Sequence, residues 1–207
     1  MRIAKEGIPF VIISFLLGLV FLALSYFGFL FYIFAILSFV FGSFSVFFFR
    51  DPTRQVSDLK SFIISPADGK VMEITSERGL TVVRIFLSVF NVHLQRSPVS
   101  GEVVSVEYKK GKFLPAMDKM AHSENEQNIV IIKNTNGFFE VKQIAGIIAR
   151  RIICYVRPGQ IISVGDKIGL IKFGSQVDIC MPNLASIKVQ VGDKVIGAKT
   201  IIGEIVQ

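Results

Sequence analysis

Forty-two consecutive residues, Ile8 to Phe49, contain no Asp, Glu, Lys or Arg: IPFVIISFLLGLVFLALSYFGFLFYIFAILSFVFGSFSVFFF. As one helix this run would extend about 63 Å at about 1.5 Å per residue, twice the roughly 30 Å hydrocarbon core of a bilayer. One span leaves half of it over, and two spans use it. The reversal falls in SYFGF, Ser25 to Phe29, where Gly28 and polar neighbours let the chain turn. A secretory signal has an apolar core of about 7–15 residues followed by a small-residue cleavage site. This run is longer, and no such site precedes its second half. Arg2 and Lys5 stand before it, Arg50 and Arg54 after it, so the positive-inside tendency turns both ends to the cytoplasm. The expectation is a transmembrane helical hairpin over residues 1–50, anchoring a cytoplasmic domain of residues 51–207 to the cell membrane.

That second segment changes character at once. Short β-rich runs such as GKVMEI, LTVVRIFL, GEVVSVEY, NIVIIKN and KIGLIKF are cut by Gly, Asp, Pro and Asn, a spacing that suits an all-β sandwich or barrel better than βαβ units. The stretch FLPAMDKMAHSENEQN, residues 113–128, is polar and reads as a loop with at most a turn of helix. VGDKIGLI from Val164 and VGDKVIGAKTIIGEI from Val191 repeat a Gly-Asp turn 27 residues apart. Turns of this kind feeding short strands resemble the barrel-sandwich hybrid of lipoyl and biotinyl domains. The fold class is therefore mainly β, barrel-sandwich-hybrid-like, behind a two-helix hairpin. Lys119 is the residue a lipoyl-type modification would use, but it lies in the polar loop and reads as a solvated lysine.

Outside the hairpin's Arg2, Lys5, Arg50 and Glu6 the chain holds 20 basic and 15 acidic residues, a net charge of +5. A basic domain beside a cytoplasmic leaflet is drawn to anionic head groups. No aromatic-basic motif or recognition helix accompanies the charge, so nucleic acid is not an expected partner. Cys154 and Cys180 sit in strand-like runs and read as reduced core residues. His93 and His122 are 29 residues apart with no short-spaced cysteines and no H-E-x-x-H, a poor basis for a metal site.

Three features carry potential chemistry. SPADGKV, residues 65–71, places Asp68 before Gly69 in a turn. FLSVFNVHLQRSPVSG, residues 86–101, sets His93 among apolar neighbours. LIKFGSQVDICMP, residues 170–182, is a strand interrupted at Gly174-Ser175. Each has an ordinary reading: a turn carboxylate, a hydrogen-bonded core histidine, a bulge. No G-x-S-x-G elbow is present, and an Asp68, His93, Ser175 triad has no local pattern behind it.

Together, SPADGKV, FLSVFNVHLQRSPVSGEV, SENEQN, IAGIIARRIICYV and GDKIGLIKFGSQVDICMP resemble, in order, the short membrane-anchored phosphatidylserine decarboxylases of prokaryotic type. The resemblance implies a proenzyme that breaks its own Gly174-Ser175 bond. The Ser175 hydroxyl attacks the Gly174 carbonyl, which has no side chain to block it. Elimination and hydrolysis then leave a pyruvoyl group at residue 175 with loss of ammonia, giving fragments 1–174 and 175–207. Its ketone would form a Schiff base with the serine amine and draw electrons as carbon dioxide leaves, with neither pyridoxal phosphate nor metal. The substrate implied is phosphatidylserine or an ether-linked archaeal analogue in the bilayer, and the product an ethanolamine lipid. Asp68 would orient a base and His93 would move protons.

Longer relatives carry a second histidine where this chain has Arg96, so either His93 serves both stages or Arg96 binds the substrate's carboxylate or phosphate. His122 matches no catalytic position. Barrel-like strand edges would allow a homodimer. The rival readings are a lipoyl-like membrane-tethered adaptor without chemistry and a membrane-bound serine hydrolase using Ser175.

Overall fold

The apolar run folds as two helices, α1 (Ile8–Leu24) and α2 (Phe29–Phe48), parted by a single 3-10 turn over Ser25–Phe27 and by Gly28. The computed structural model describes residues 2–56, 61–115, 118, 120–146, 151–172, 175–183 and 185–205. The helices are antiparallel, with Phe15 against Phe39 and Phe21 against Phe34, ring centroids 5.9 and 5.5 Å apart. Small residues set their approach. A Cβ at Gly18 would lie 2.7 Å from the Phe39 ring, and one at Gly42 would lie 2.9 Å from Phe15, the close contact that apolar helices use where water cannot drive association. Ser14 and Ser45 satisfy their hydroxyls on the carbonyls four residues back, at 2.6 and 2.8 Å. Most other side chains on both helices point outward, as lipid-facing residues would. Two short strands, β1 (Arg2–Ile3) and β2 (Arg50–Asp51), pair antiparallel, so Arg2, Lys5 and Arg50 gather at one end of the hairpin.

The chain divides into two compact units, residues 1–53 and 54–207. The second is built from β3 (Phe62–Ile64), β4 (Gly69–Glu77), β5 (Leu80–Leu87), β6 (Leu94–Arg96), β7 (Gly101–Lys109), α3 (Ala121–Glu124), β8 (Gln127–Asn134), β9 (Gly137–Ala145), β10 (Arg151–Cys154), β11 (Ile161–Ile162), β12 (Lys167–Lys172), β13 (Ser175–Pro182), β14 (Ala185–Ile187), β15 (Lys194–Val195) and β16 (Ile201–Ile205). Eight strands form one antiparallel sheet in the order β11-β7-β8-β9-β13-β5-β4-β15, and two three-stranded sheets, β10-β12-β6 and β14-β16-β3, complete the unit. The mainly β class with an N-terminal apolar hairpin is the architecture expected. α3, a single turn, is all the helix the polar stretch contains among its described residues.

Strand alternation sorts the sheet's two faces. Val83, Ile85 and Leu87 of β5, Val177, Ile179 and Met181 of β13, and Phe139, Val141 and Ala145 of β9 enter one buried core with Ile168 and Ile171 of β12. β13 lies between β5 and β9 and is buried from Ser175 to Met181. The repeated Gly-Asp turns are alike in detail. Gly165 and Gly192 have φ of 85° and 101°, which glycine adopts without steric cost. Asp166 and Asp193 each accept a backbone N–H, from Ser163 and Gln190, both at 2.8 Å. One turn feeds β12 and the other β15.

Candidate active site

Three segments distant in sequence meet through backbone hydrogen bonds. Arg96 N–H on β6 donates to the Pro66 carbonyl at 2.8 Å, tying β6 to the SPADG turn. β6 pairs with β12, and Ile171 N–H donates to the His93 carbonyl at 3.1 Å. β12 ends at Lys172 and β13 begins at Ser175, so the chain crosses from the small sheet to the large one between them. Gly174, the other half of the expected cleavage bond, lies outside the described residues, as does Lys119.

Ser175 heads β13, opposite Leu87 on one side and Ala145 on the other. Its side chain is fully buried, and its Oγ has no hydrogen-bond partner among the described residues. A buried hydroxyl ordinarily finds a partner. His93 is also buried. Its Nδ1 lies 3.0 Å from the Asn91 carbonyl, and only a protonated nitrogen can face a carbonyl. The neutral ring therefore keeps its lone pair on Nε2. Asn91 in turn caps the short turn that returns the chain from Leu87 to His93, accepting from the Ser88 N–H and hydroxyl at 2.9 and 2.7 Å.

Asp68 sits elsewhere in the assembly. Its carboxylate takes both arms of Arg54, Nη2 to Oδ2 at 2.7 Å, and the Gly197 N–H at 2.8 Å, while Arg54 also donates to the Gly197 carbonyl. Both side chains are almost wholly buried. Gly69 follows Asp68 at the head of β4, so the Asp68 turn leads into the strand two over from β13. Arg96 is buried and donates to the Gly165 carbonyl at 3.0 Å. Asp68, His93 and Ser175 thus occupy neighbouring segments, with Asp68 engaged by Arg54. Sequence reasoning missed Arg54. It used the residue only as a positive charge flanking the membrane run.

The outer face of the same strands carries a row of alternating charge: Glu73, Arg84, Asp178 and Lys142 stand opposite one another on β4, β5, β13 and β9. Arg84 bonds Glu73 at 2.5 Å and also Glu77, and approaches Asp178 at 3.4 Å. A cleft of about 790 Å³ opens on this face, bounded by Val71, Met72, Phe86, His122 and Gln176. It reaches the residue beside Ser175. Burial pushes the Cys180 thiol up to about 12, which leaves it protonated and inert. Among the described residues no three His, Cys, Asp or Glu side chains gather as a metal site requires.

Burial also pushes Asp178 up to about 6, against the pull of Gln176, Arg84 and Lys142. The native carboxyl therefore keeps its proton where an unfolded one, near 3.8, has lost it. Its contribution to stability is complete below the unfolded value and is lost as pH rises through about 6. The loss is on the order of 3 kcal/mol. Denaturant titrations of the full chain in detergent should show Asp178→Asn gaining on wild type between pH 4 and 6.5 and running parallel above. Profiles parallel throughout would mean that Asp178 titrates normally.

The family model described as phosphatidylserine decarboxylase matches residues 41–203. Over 212 aligned positions the chain is 41% identical to the phosphatidylserine decarboxylase proenzymes of Burkholderia vietnamiensis, Burkholderia multivorans and Burkholderia ambifaria, covering 99% of this chain and 97% of each of theirs.

Proposed function

This chain belongs to the phosphatidylserine decarboxylase family, and from that premise we propose that it is a self-cleaving, pyruvoyl-dependent decarboxylase of phosphatidylserine or an ether-linked analogue. The buried Ser175 hydroxyl carries the reading. It lies at the head of a central strand, directly after the expected scissile bond, with no hydrogen bond to a described residue that attack would have to break.

His93 acts as the base. Its fixed tautomer supports this role, because the Nε2 lone pair can take the Ser175 proton as Oγ closes on the Gly174 carbonyl and the peptide bond becomes an ester. Asp68 orients: with Arg54 and Gly197 it holds the turn whose Pro66 carbonyl anchors β6. The bond from Arg96 to the Gly165 carbonyl favours assigning Arg96 to this scaffold, and His93 then serves both maturation and turnover. A pyruvoyl group made from Ser175 fits the site, since the residue's backbone is held on both sides and its Oγ bonds no described residue. When formed, its carbonyl supplies the electron sink for loss of carbon dioxide from an amine-bearing substrate. The cut leaves fragment 175–207 seated, because all eight residues of β13 pair with β5, and β15 and β16 pair with β4 and β3.

Residues 1–50 tether the enzyme to the bilayer, with the catalytic unit on the cytoplasmic side where Arg2, Lys5 and Arg50 cluster. A substrate that never leaves the membrane is then met at high effective concentration. Intact mass and carboxyl-labelled lipid test the reading on freshly prepared membranes. Wild type should yield two fragments, the smaller blocked to Edman degradation and reactive toward a hydrazide, and should release labelled carbon dioxide. Ester- and ether-linked substrates run in parallel decide the lipid class. Carbon dioxide release from a wholly uncut chain would rule out the pyruvoyl mechanism, and no release from either lipid would rule out the activity.

A further inference from the structure

Three buried side-chain amides run in line through the second unit and end on the backbone of His93. Asn128 Nδ2 on β8 donates to Gln143 Oε1 on β9, Gln143 Nε2 donates to Gln95 Oε1 on β6, and Gln95 Nε2 donates to the His93 carbonyl, each at 2.8 Å. Gln143 and Gln95 are fully buried and Asn128 nearly so. The direction of the chain is forced. A carbonyl can only accept, so Gln95 must turn its NH2 to His93 and its oxygen to Gln143, which must then turn its own NH2 to Gln95. The same His93 carbonyl takes the Ile171 N–H of β12, the strand that leads to Gly174-Ser175. β12 makes room for the chain at Gly169, where a Cβ would lie 2.4 Å from Gln143 Nε2.

We propose that Gln143, acting through Gln95, is a positioning residue for His93, and that self-cleavage depends on it. This rests on the reading of His93 as the base in maturation. The imidazole hangs from a backbone that the relay fixes from one side and β12 from the other. Small misplacements of a reacting group cost large factors in rate, and buried amides that lose a partner cannot turn to water instead. Ionised glutamate at position 143 would set an acceptor against Gln95 Oε1, whereas protonated glutamate can donate as the amide does.

The test is a pulse-chase of the full chain synthesised cell-free into phospholipid nanodiscs, following conversion of the intact polypeptide into two fragments between pH 5 and 8.5. Gln143→Met should cleave at least about tenfold more slowly than wild type at every pH. Gln143→Glu should be as slow at pH 8 and should approach wild type as pH falls, a shift in the pH profile that lost packing does not produce. Protease resistance of each variant in the Ser175→Ala background reports the folded fraction, by which the rates are divided. Folded Gln143 variants that cleave at the wild-type rate at all pH values overturn the proposal. If both Gln143 variants misfold, Asn128→Ser, at the far end of the relay, decides instead: a smaller slowing upholds the proposal and an unchanged rate overturns it. Wild type that never cleaves overturns the self-processing reading itself, and a His93→Ala chain that matures normally overturns the premise about His93.

Discussion

Ser175→Ala is expected to leave the polypeptide whole and the membranes without decarboxylase activity. Scaling 23.0 kDa by residue count, wild type should run as pieces of roughly 19 and 3.7 kDa, and the variant as one chain of full mass. The loss should be complete to the limit of detection, because in the proposed mechanism the residue supplies both the attacking oxygen and the group that the reaction requires. The structure makes the substitution clean. Ser175 Oγ is buried and bonds no described residue, so alanine removes no hydrogen bond seen there and relieves a buried polar atom, a change worth about 1 kcal/mol in the protein's favour. A variant that is dead, uncut and at least as stable as wild type fits a serine whose role is chemical. Wild type and variant both running whole from active membranes would sink the self-processing mechanism. A whole wild-type chain that reacts with a serine-directed phosphonate would bring the hydrolase reading forward, and one that does nothing would bring forward the adaptor.

Arg54→Met is expected to be the most destabilising single change near the site. The guanidinium holds both carboxylate oxygens of Asp68 and the Gly197 carbonyl in a pair whose side chains are only 5% and 12% exposed. Removing one member of a buried pair leaves an uncompensated charge, at a cost of about 3–5 kcal/mol. For a chain of this size that lowers a reversible melting midpoint by roughly 10 °C. Adding Asp68→Asn should recover part of the loss, since the orphaned charge is gone and the side-chain oxygen still accepts the Gly197 N–H. Maturation should slow as well, because the same turn anchors β6 through Pro66 and Arg96. An unchanged midpoint in Arg54→Met, or a double variant worse than the single, would show that the pair does not hold this corner together.

Arg54 also marks where reading the sequence stops. The hairpin was legible because its signal is local and one-dimensional: a charge-free run has a length, and the bilayer has a thickness to compare with it. The turns at Gly165 and Gly192 were legible for a similar reason, since a Gly-Asp pair between apolar runs has few other conformations open to it. The order of the SPADG, His93 and Gly-Ser segments pointed to the chemistry, and all three fall on adjoining elements. Their partners could not be read. Asp68 meets Arg54 14 positions back and Gly197 129 positions on, and Gln143 meets Gln95 across 48. Nothing in the residue types distinguishes Gln143 from the exposed loop glutamines Gln55 and Gln190.

The sequence by itself determined an apolar hairpin followed by a β domain, and the alternation along β13 that separates Ser175 from Gln176. Alternation has no sign, because a strand read alone has two equivalent faces. Only the tertiary structure decided that Ser175 turns inward toward the layer carrying His93 while Gln176 faces the cleft, since only the pairing of β13 between β5 and β9 says which side is core.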